Sequence, residues 1–333
     1  MQNKLNFVFW GTPDVASETL EILKQNNYLP SLIVTSPDAR SGRKMLLTPP
    51  PVKIWAIKNK IPYIQPEKPN EKEIWDILRT LGRSGDDGQK KFSTENFRGE
   101  QNIPDFFLVV AYGKIIPENI LNMPRLGSIN IHYSLLPKYR GASPVETVIL
   151  NGDTETGVAI QKMEYKLDSG PIIALEKVAI LPDEKAPDLR KRLIKIGGEL
   201  LVKILKTPSA SGHSLQEQYT FWLPESSKGL AVGFHPDFTP FAGGEKQNES
   251  QATFCKKIKK EDGLIDLGDD AIKNYNKFRA YATWPRTFFF QNNKRIIITD
   301  AELVNGKFVI KKVLPEGKKE ISWQDFNLRH GVN

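Results

Sequence analysis

At 333 residues with 39% hydrophobic side chains, the chain is long enough for one large α/β domain and a smaller module. Its single cysteine, Cys255, excludes an internal disulfide, and no Cys/His set has the spacing of a structural zinc site, so a reducing, cytoplasmic setting and no metal are expected. The longest apolar runs, Phe7 to Trp10 and Phe106 to Tyr112, have strand length, which leaves no signal peptide and no membrane span.

Net charge is +8, and over residues 251–333 there are 16 Lys and Arg against 10 Asp and Glu, a local net of +6. A basic terminal module fits a polyanion such as nucleic acid, and equally a merely solvated surface.

Leu5 to Trp10 reads as a buried parallel strand. Gly11-Thr12-Pro13-Asp14 then opens a helix, with Thr12 as N-cap and Ala16, Leu20 and Leu23 on one face. The turn lacks G-x-G-x-x-G, so a dinucleotide fingerprint is absent. Ser31 to Ser36 is a second strand, followed by the polar loop Pro37 to Lys44, whose cations are Arg40, Arg43 and Lys44. A loop of this length is either functional or a surface excursion. Val52 to Lys60 and Glu71 to Leu81 are expected to be helical. Residues 82–101 are polar and Gly-rich and read as an insertion without chemistry.

Asp105 to Ala111 is the next strand and ends at Tyr112-Gly113. In Gly127 to Gly141, Ile129 and Ile131 alternate with Asn130 and His132, so the carboxamide and the imidazole point to one face of a strand. The loop from Ser134 to Arg140 follows, and Ser143-Pro144-Val145-Glu146 has the form of a capping box opening a helix. Thr156 to Met163 alternates as a strand, Tyr165 to Pro171 is a turn, Ile172 starts another strand, and Pro187 to Lys206 is a long helix. Residues 207–250 read as a linker. Beyond Thr253, one helix near Ala271 to Ala282 and short strands at Phe288 to Phe290, Arg295 to Thr299 and Phe308 to Val313 make a small β module. The implied organisation is a catalytic domain over 1–206, a linker over 207–250 and a basic module over 251–333. The fold class is α/β, with a Rossmann-like, open, mostly parallel sheet.

Asn130, His132 and Asp168 are the polar trio that strand ends and a turn bring to one edge. A carboxamide with an imidazole can hold an oxyanion, while a carboxylate orients the imidazole or takes a proton through water, so acyl-type transfer fits. A strand histidine is also what a satisfied core residue looks like, and an aspartate before Ser-Gly is commonly a turn former bonding its own backbone.

Five motifs act together: Phe9-Trp10-Gly11-Thr12-Pro13-Asp14, Ser36-Pro37-Asp38 before Gly42-Arg43, Val110-Ala111-Tyr112-Gly113, Asn130-Ile131-His132 through Leu135-Leu136-Pro137-Lys138-Tyr139-Arg140-Gly141, and Leu167-Asp168-Ser169-Gly170. Carried by these, and by Asn151-Gly152-Asp153 with Thr156-Gly157-Val158, the chain resembles the 10-formyltetrahydrofolate-dependent formyltransferases, in particular those acting on methionyl-tRNA. The similarity runs from Leu5 to about Leu205 and resumes over Thr253 to Phe289.

That resemblance implies a formyltransferase fold and a C-terminal OB-like barrel binding tRNA. It implies Asn130, His132 and Asp168 as catalytic, and Ser134, Leu135, Leu136 and Pro137 with Ala111, Tyr112 and Gly113 around the 10-formyltetrahydrofolate co-substrate. Arg40, Arg43 and Lys44 would meet tRNA, the partners being methionyl-tRNA and folate, and the protein would be a monomer. After Thr299 there is room for about one hairpin, so the barrel is expected to be truncated. Val15 stands where relatives often carry an aromatic, and Tyr133 where they carry a small residue. Two other readings are a formyltransferase for a small amine, such as an aminosugar nucleotide or glycinamide ribonucleotide, and a non-catalytic RNA-binding relative.

Overall fold

The computed structural model describes residues 5–42, 45–69, 72–74, 76–77, 103–206 and 244–330. The insertion at 82–101, most of the 207–250 linker, the end of the helix expected over Glu71 to Leu81, and Arg43 and Lys44 lie outside the described residues.

A seven-stranded sheet is assembled from β1 (Phe7–Gly11), β2 (Leu32–Val34), β5 (Tyr63–Ile64), β6 (Phe106–Val110), β7 (Ser128–His132), β9 (Glu155–Lys162) and β10 (Ile172–Ala179), in the order β10-β9-β7-β6-β1-β2-β5. From β5 to β7 neighbouring strands are parallel, with Phe7 beside Phe106 and Leu108 beside Ile129. Every residue of β1, β6 and β7 is buried; β1 and β6 are accordingly apolar on both faces, whereas β7 alternates, with Ser128, Asn130 and His132 on one face and Ile129 and Ile131 on the other. Helix α1 (Asp14–Gln25) buries Ala16, Leu20 and Leu23 as its spacing requires. A Cβ on Gly11 would lie 2.6 Å from Ala16 Cβ and 2.9 Å from Val110 O, so only glycine lets β1 turn into α1 this tightly.

The chain leaves β1 towards β2 and β5, then returns to β6 on the other flank of β1. Ligands of open α/β sheets bind at the carboxyl edge of such a reversal. Here one hydroxyl ties three strand ends together: Thr12 Oγ1 donates to Tyr112 O at 2.9 Å and lies 3.0 Å from Ser36 Oγ. Thr12 was expected to cap α1; the helix starts one residue later, with Pro13 as N-cap. The basic loop after β2 is a hairpin, β3 (Ala39–Ser41) against β4 (Leu46–Thr48), leading into α2 (Pro51–Lys58).

The described residues of Met1–His132, Val158–Glu176 and Ile194–Asn248 form one compact unit, and those of Tyr133–Gly157, Lys177–Leu193 and Glu249–Asn333 a second. In the first, α3 (Glu118–Leu121) precedes β7, and the later part of α5 (Ala186–Lys206) lies so close to α1 that a Cβ on Gly198 would be 2.8 Å from Ile22 Cδ1. The second contains β8 (Arg140–Gly141) paired with β11 (Phe254–Cys255), α4 (Pro144–Leu150) and α6 (Ala271–Ala280). Its four-stranded antiparallel sheet runs β12 (Phe288–Gln291), β13 (Lys294–Val304), β14 (Lys307–Pro315) and β15 (Ile321–Ser322), with α7 (Trp323–His330) after it. Asn305 and Gly306, at φ 48 and 75, make the two-residue hairpin turn between β13 and β14.

The capping box expected at Ser143 and Glu146 does not form. The Ser143 side chain makes no capping bond, its N–H donates to Cys255 Sγ at 3.3 Å, and Glu146 is taken by an ion pair with Arg190. A guanidinium from α5 is a stronger partner for that carboxylate than a backbone amide. No described helix is long and apolar enough to cross a membrane.

Candidate active site

Asn130 and His132 sit two residues apart on β7 and therefore share a face, buried to 9% and 5% exposure. β9 runs antiparallel beside them, with Asn130 opposite Gln161 and His132 opposite Ala159, so Gln161 joins the same face. Asp168 lies in the turn between β9 and β10. Its Oδ2 is 3.7 Å from His132 Nδ1, and its Oδ1 accepts from Gln161 Nε2 at 3.0 Å. The backbone at Asp168 is left-handed, φ 47, a strained conformation that aspartate tolerates better than most residues. Both carboxylate oxygens face β7 and β9. The carboxylate of this turn residue is thus directed inward, at His132 and Gln161.

Gly170 explains how this turn lies so close to β9. A Cβ there would stand 1.8 Å from Lys162 O, which excludes every other residue. Gln247, in the stretch read as linker, donates through Nε2 to Asp168 O at 2.8 Å, to Gly170 O at 2.7 Å and to Gln161 Oε1 at 3.2 Å. Sequence reasoning missed Gln161 and Gln247. The first lay in a segment read only as an alternating strand, and nothing local links a glutamine 79 positions away to the Asp168 carbonyl.

Ala111 and Gly113 are exposed with left-handed backbones, φ 47 and 80, and a Cβ on Gly113 would meet nothing within 4 Å. Open space therefore flanks the end of β6 at Gly113. Tyr112 turns its ring the other way, edge-on to Trp10 in the core, where burial pushes its hydroxyl up to about 12. In the loop after β7, Ser134 is fully buried and donates to Lys138 O at 2.6 Å, Leu136 is buried, and Leu135 and Pro137 are partly open. The Leu136–Pro137 peptide is cis.

Arg40 is exposed on β3. The foot of its hairpin is held by Asp38, whose two oxygens each lie 2.8 Å from Lys53 Nζ; that bond and one from Gln65 keep the Asp38 carboxyl below its ordinary range.

The formyl transferase family matches residues 3–205, and the formyl transferase C-terminal domain matches residues 257–309. The chain is 36% identical to the methionyl-tRNA formyltransferase of Thermotoga maritima over 292 residues, 88% of this chain and 77% of that one. Among solved structures, the methionyl-tRNA formyltransferase of Clostridium thermocellum aligns at TM-score 0.50 and 15% identity over 96% of this chain and 99% of that one. The N-formyltransferase of Helicobacter canadensis, solved with folinic acid and dTDP-3-aminofucose, aligns at TM-score 0.55 and 18% identity over 90% and 88%. At those identities the two structures speak for the fold, while the family match and the relative carry the assignment: this chain belongs to the formyl transferase family, alongside the methionyl-tRNA formyltransferases.

Proposed function

We propose that this enzyme transfers the formyl group of 10-formyltetrahydrofolate to the α-amine of methionyl-tRNA, the step that prepares the initiator for translation. The observation that carries the reading is the meeting of His132 Nδ1 and Asp168 Oδ2 at 3.7 Å beside Asn130, at the carboxyl edge of a formyl transferase sheet. Bound 10-formyltetrahydrofolate supplies the electrophilic formyl carbon. Ala111 and Gly113 offer their main chain to the pterin, and Leu135 and Pro137 pack against the folate, with Ser134 and Leu136 shaping that loop from inside.

Asn130 and His132 donate to the oxygen on which negative charge develops as the amine attacks. A new bond forms between the amine nitrogen and the formyl carbon, and the carbonyl pair moves onto oxygen. Asp168 receives the amine proton through water. As the carbonyl re-forms, the bond from carbon to the folate nitrogen breaks, and that nitrogen takes a proton delivered through His132. Asp168 also holds the Nδ1 side of the imidazole, leaving Nε2 for the reaction. An active-site contact of this length shortens when substrates close the site.

Arg40, with Arg43 and Lys44, contacts the tRNA backbone, and the basic residues beyond 251 add to that hold. The domains divide as 1–206, 207–250 and 251–333, and the enzyme works as a monomer in the cytoplasm. The test is formylation of methionyl-tRNA against an aminosugar nucleotide and glycinamide ribonucleotide, with 10-formyltetrahydrofolate, across a salt series. Turnover with methionyl-tRNA that weakens steeply with salt supports the reading; preference for a small amine with flat salt dependence overturns it.

A further inference from the structure

Gln161 is almost completely buried at 1% exposure, and its carboxamide chemistry is decided by its neighbours. A carboxylate only accepts, so the group 3.0 Å from Asp168 Oδ1 must be the Gln161 N–H₂. Its oxygen then needs a donor, and the atom 3.2 Å away is Gln247 Nε2. That nitrogen also faces two main-chain carbonyls, Asp168 O at 2.8 Å and Gly170 O at 2.7 Å. Three acceptors surround it, so it too must be the amide nitrogen. One orientation of both side chains is compatible with the whole set, the two N–H of Gln247 being shared among three acceptors, and the reverse of either would set oxygen against oxygen.

From this geometry we infer that Gln161 and Gln247 are positioning residues for the Asp168 carboxylate. The inference rests on the reading of Asp168 given above. Gln247 clamps the Asp168 turn by its main chain and locks the Gln161 amide. Gln161 in turn stabilises charge on Oδ1 and leaves Oδ2 directed at His132. The strained backbone of Asp168 shows why a clamp is needed: a left-handed aspartate relaxes unless its surroundings over-determine it. The segment carrying Gln247 is also held to β10 by paired main-chain bonds between Glu245 and Ile172, both 2.9 Å, so the clamp has a fixed base. The titratable groups on the elements around the carboxylate are His132 on β7, Glu155 and Lys162 on β9, Glu164 and Lys166 in the turn, Glu176 and Lys177 on β10, and Glu245 and Lys246 beside Gln247. All of these except the buried His132 are exposed or partly exposed to water, which screens them.

The experiment uses the full chain and the isosteric variants Gln161→Met and Gln247→Met, with Asp168→Asn as reference. One readout needs no substrate: the ¹³C signal of the Asp168 carboxyl, assigned by its absence in Asp168→Asn, is recorded in the free protein. Loss of the Gln161 donor is expected to move that signal, and loss of Gln247 to move it less in the same direction. kcat falls about tenfold or more while KM for the folate changes little. If both variants keep the wild-type carboxyl signal and kcat, the two glutamines are packing only and the inference is overturned. Should Gln161→Met not fold, the half-buried Gln247→Met decides alone. If Asp168→Asn keeps wild-type turnover, the fault lies in the reading of the active site instead.

Discussion

His132 and Asp168 divide their work by position. In the proposed reaction the imidazole works from a strand, and the acid meets the imidazole from a turn. Removing either group removes proton handling, so His132→Ala and Asp168→Asn are each expected to lower kcat by about 10²- to 10⁴-fold, with unchanged circular dichroism showing that the fold survives. Gly170 gives a sharper test of the turn. A methyl group there collides with Lys162 O at 1.8 Å, and the carboxylate must move with the displaced backbone. Gly170→Ala should cost about 1–3 kcal/mol in a urea titration and lower turnover far more than that loss of stability explains. A variant with wild-type kcat would show that the position of the turn is unimportant to catalysis.

The hairpin β3–β4 and the helix α7 illustrate how an element takes on a role. The hairpin projects Arg40 into solvent from a base tied by Asp38 to Lys53, so its charge is presented at a defined place rather than on a loose loop. Arg40→Ala is expected to reduce the slope of log affinity for methionyl-tRNA against log salt by about 0.7–0.9, the share of one phosphate, and to leave folate KM alone; filter binding across a salt series measures it. Helix α7 was not expected from the sequence, which left room only for a hairpin after Thr299. It supplies Phe326, 1% exposed, to a core with Phe289, Ile296, Ile298 and Val313. Phe326 stacks with Trp323 at 5.6 Å and meets Phe289 edge-on at 6.3 Å. Phe326→Ala should therefore destabilise the four-stranded module by about 3–5 kcal/mol, seen as an earlier thermal transition.

Taken across the chain, burial makes alkaline pH the weak side of this protein. Tyr112, Tyr275 and Tyr281 are each pushed by burial from 10.0 up to about 12, Tyr275 with help from its bond to Asp183. The unfolded chain releases these protons near pH 10 while the folded chain retains them. Their contribution to stability is thus complete below about pH 10 and is lost as pH rises toward 12. An absorbance titration should show their tyrosinate appearing together with loss of the far-ultraviolet circular dichroism. Tyrosinate from all nine tyrosines forming near pH 10 with the fold intact would contradict it.

The parallel sheet, the alternation that pairs Asn130 with His132, and the family itself were legible in the amino-acid order because they depend on local pattern. An all-apolar five-residue run can only be buried on both faces, and a period of two sets which side chains neighbour each other. The closing α7, the unused capping box at Ser143, and the glutamine clamp on Asp168 were decided by contacts between residues far apart in the chain. The Ser143 N–H is taken by Cys255 Sγ and the Glu146 carboxylate by the stronger Arg190 guanidinium, and Gln247 meets Asp168 only because its segment is fastened to β10. Periodicity reports which face a residue occupies; which partner satisfies it there depends on what the rest of the fold delivers to that face.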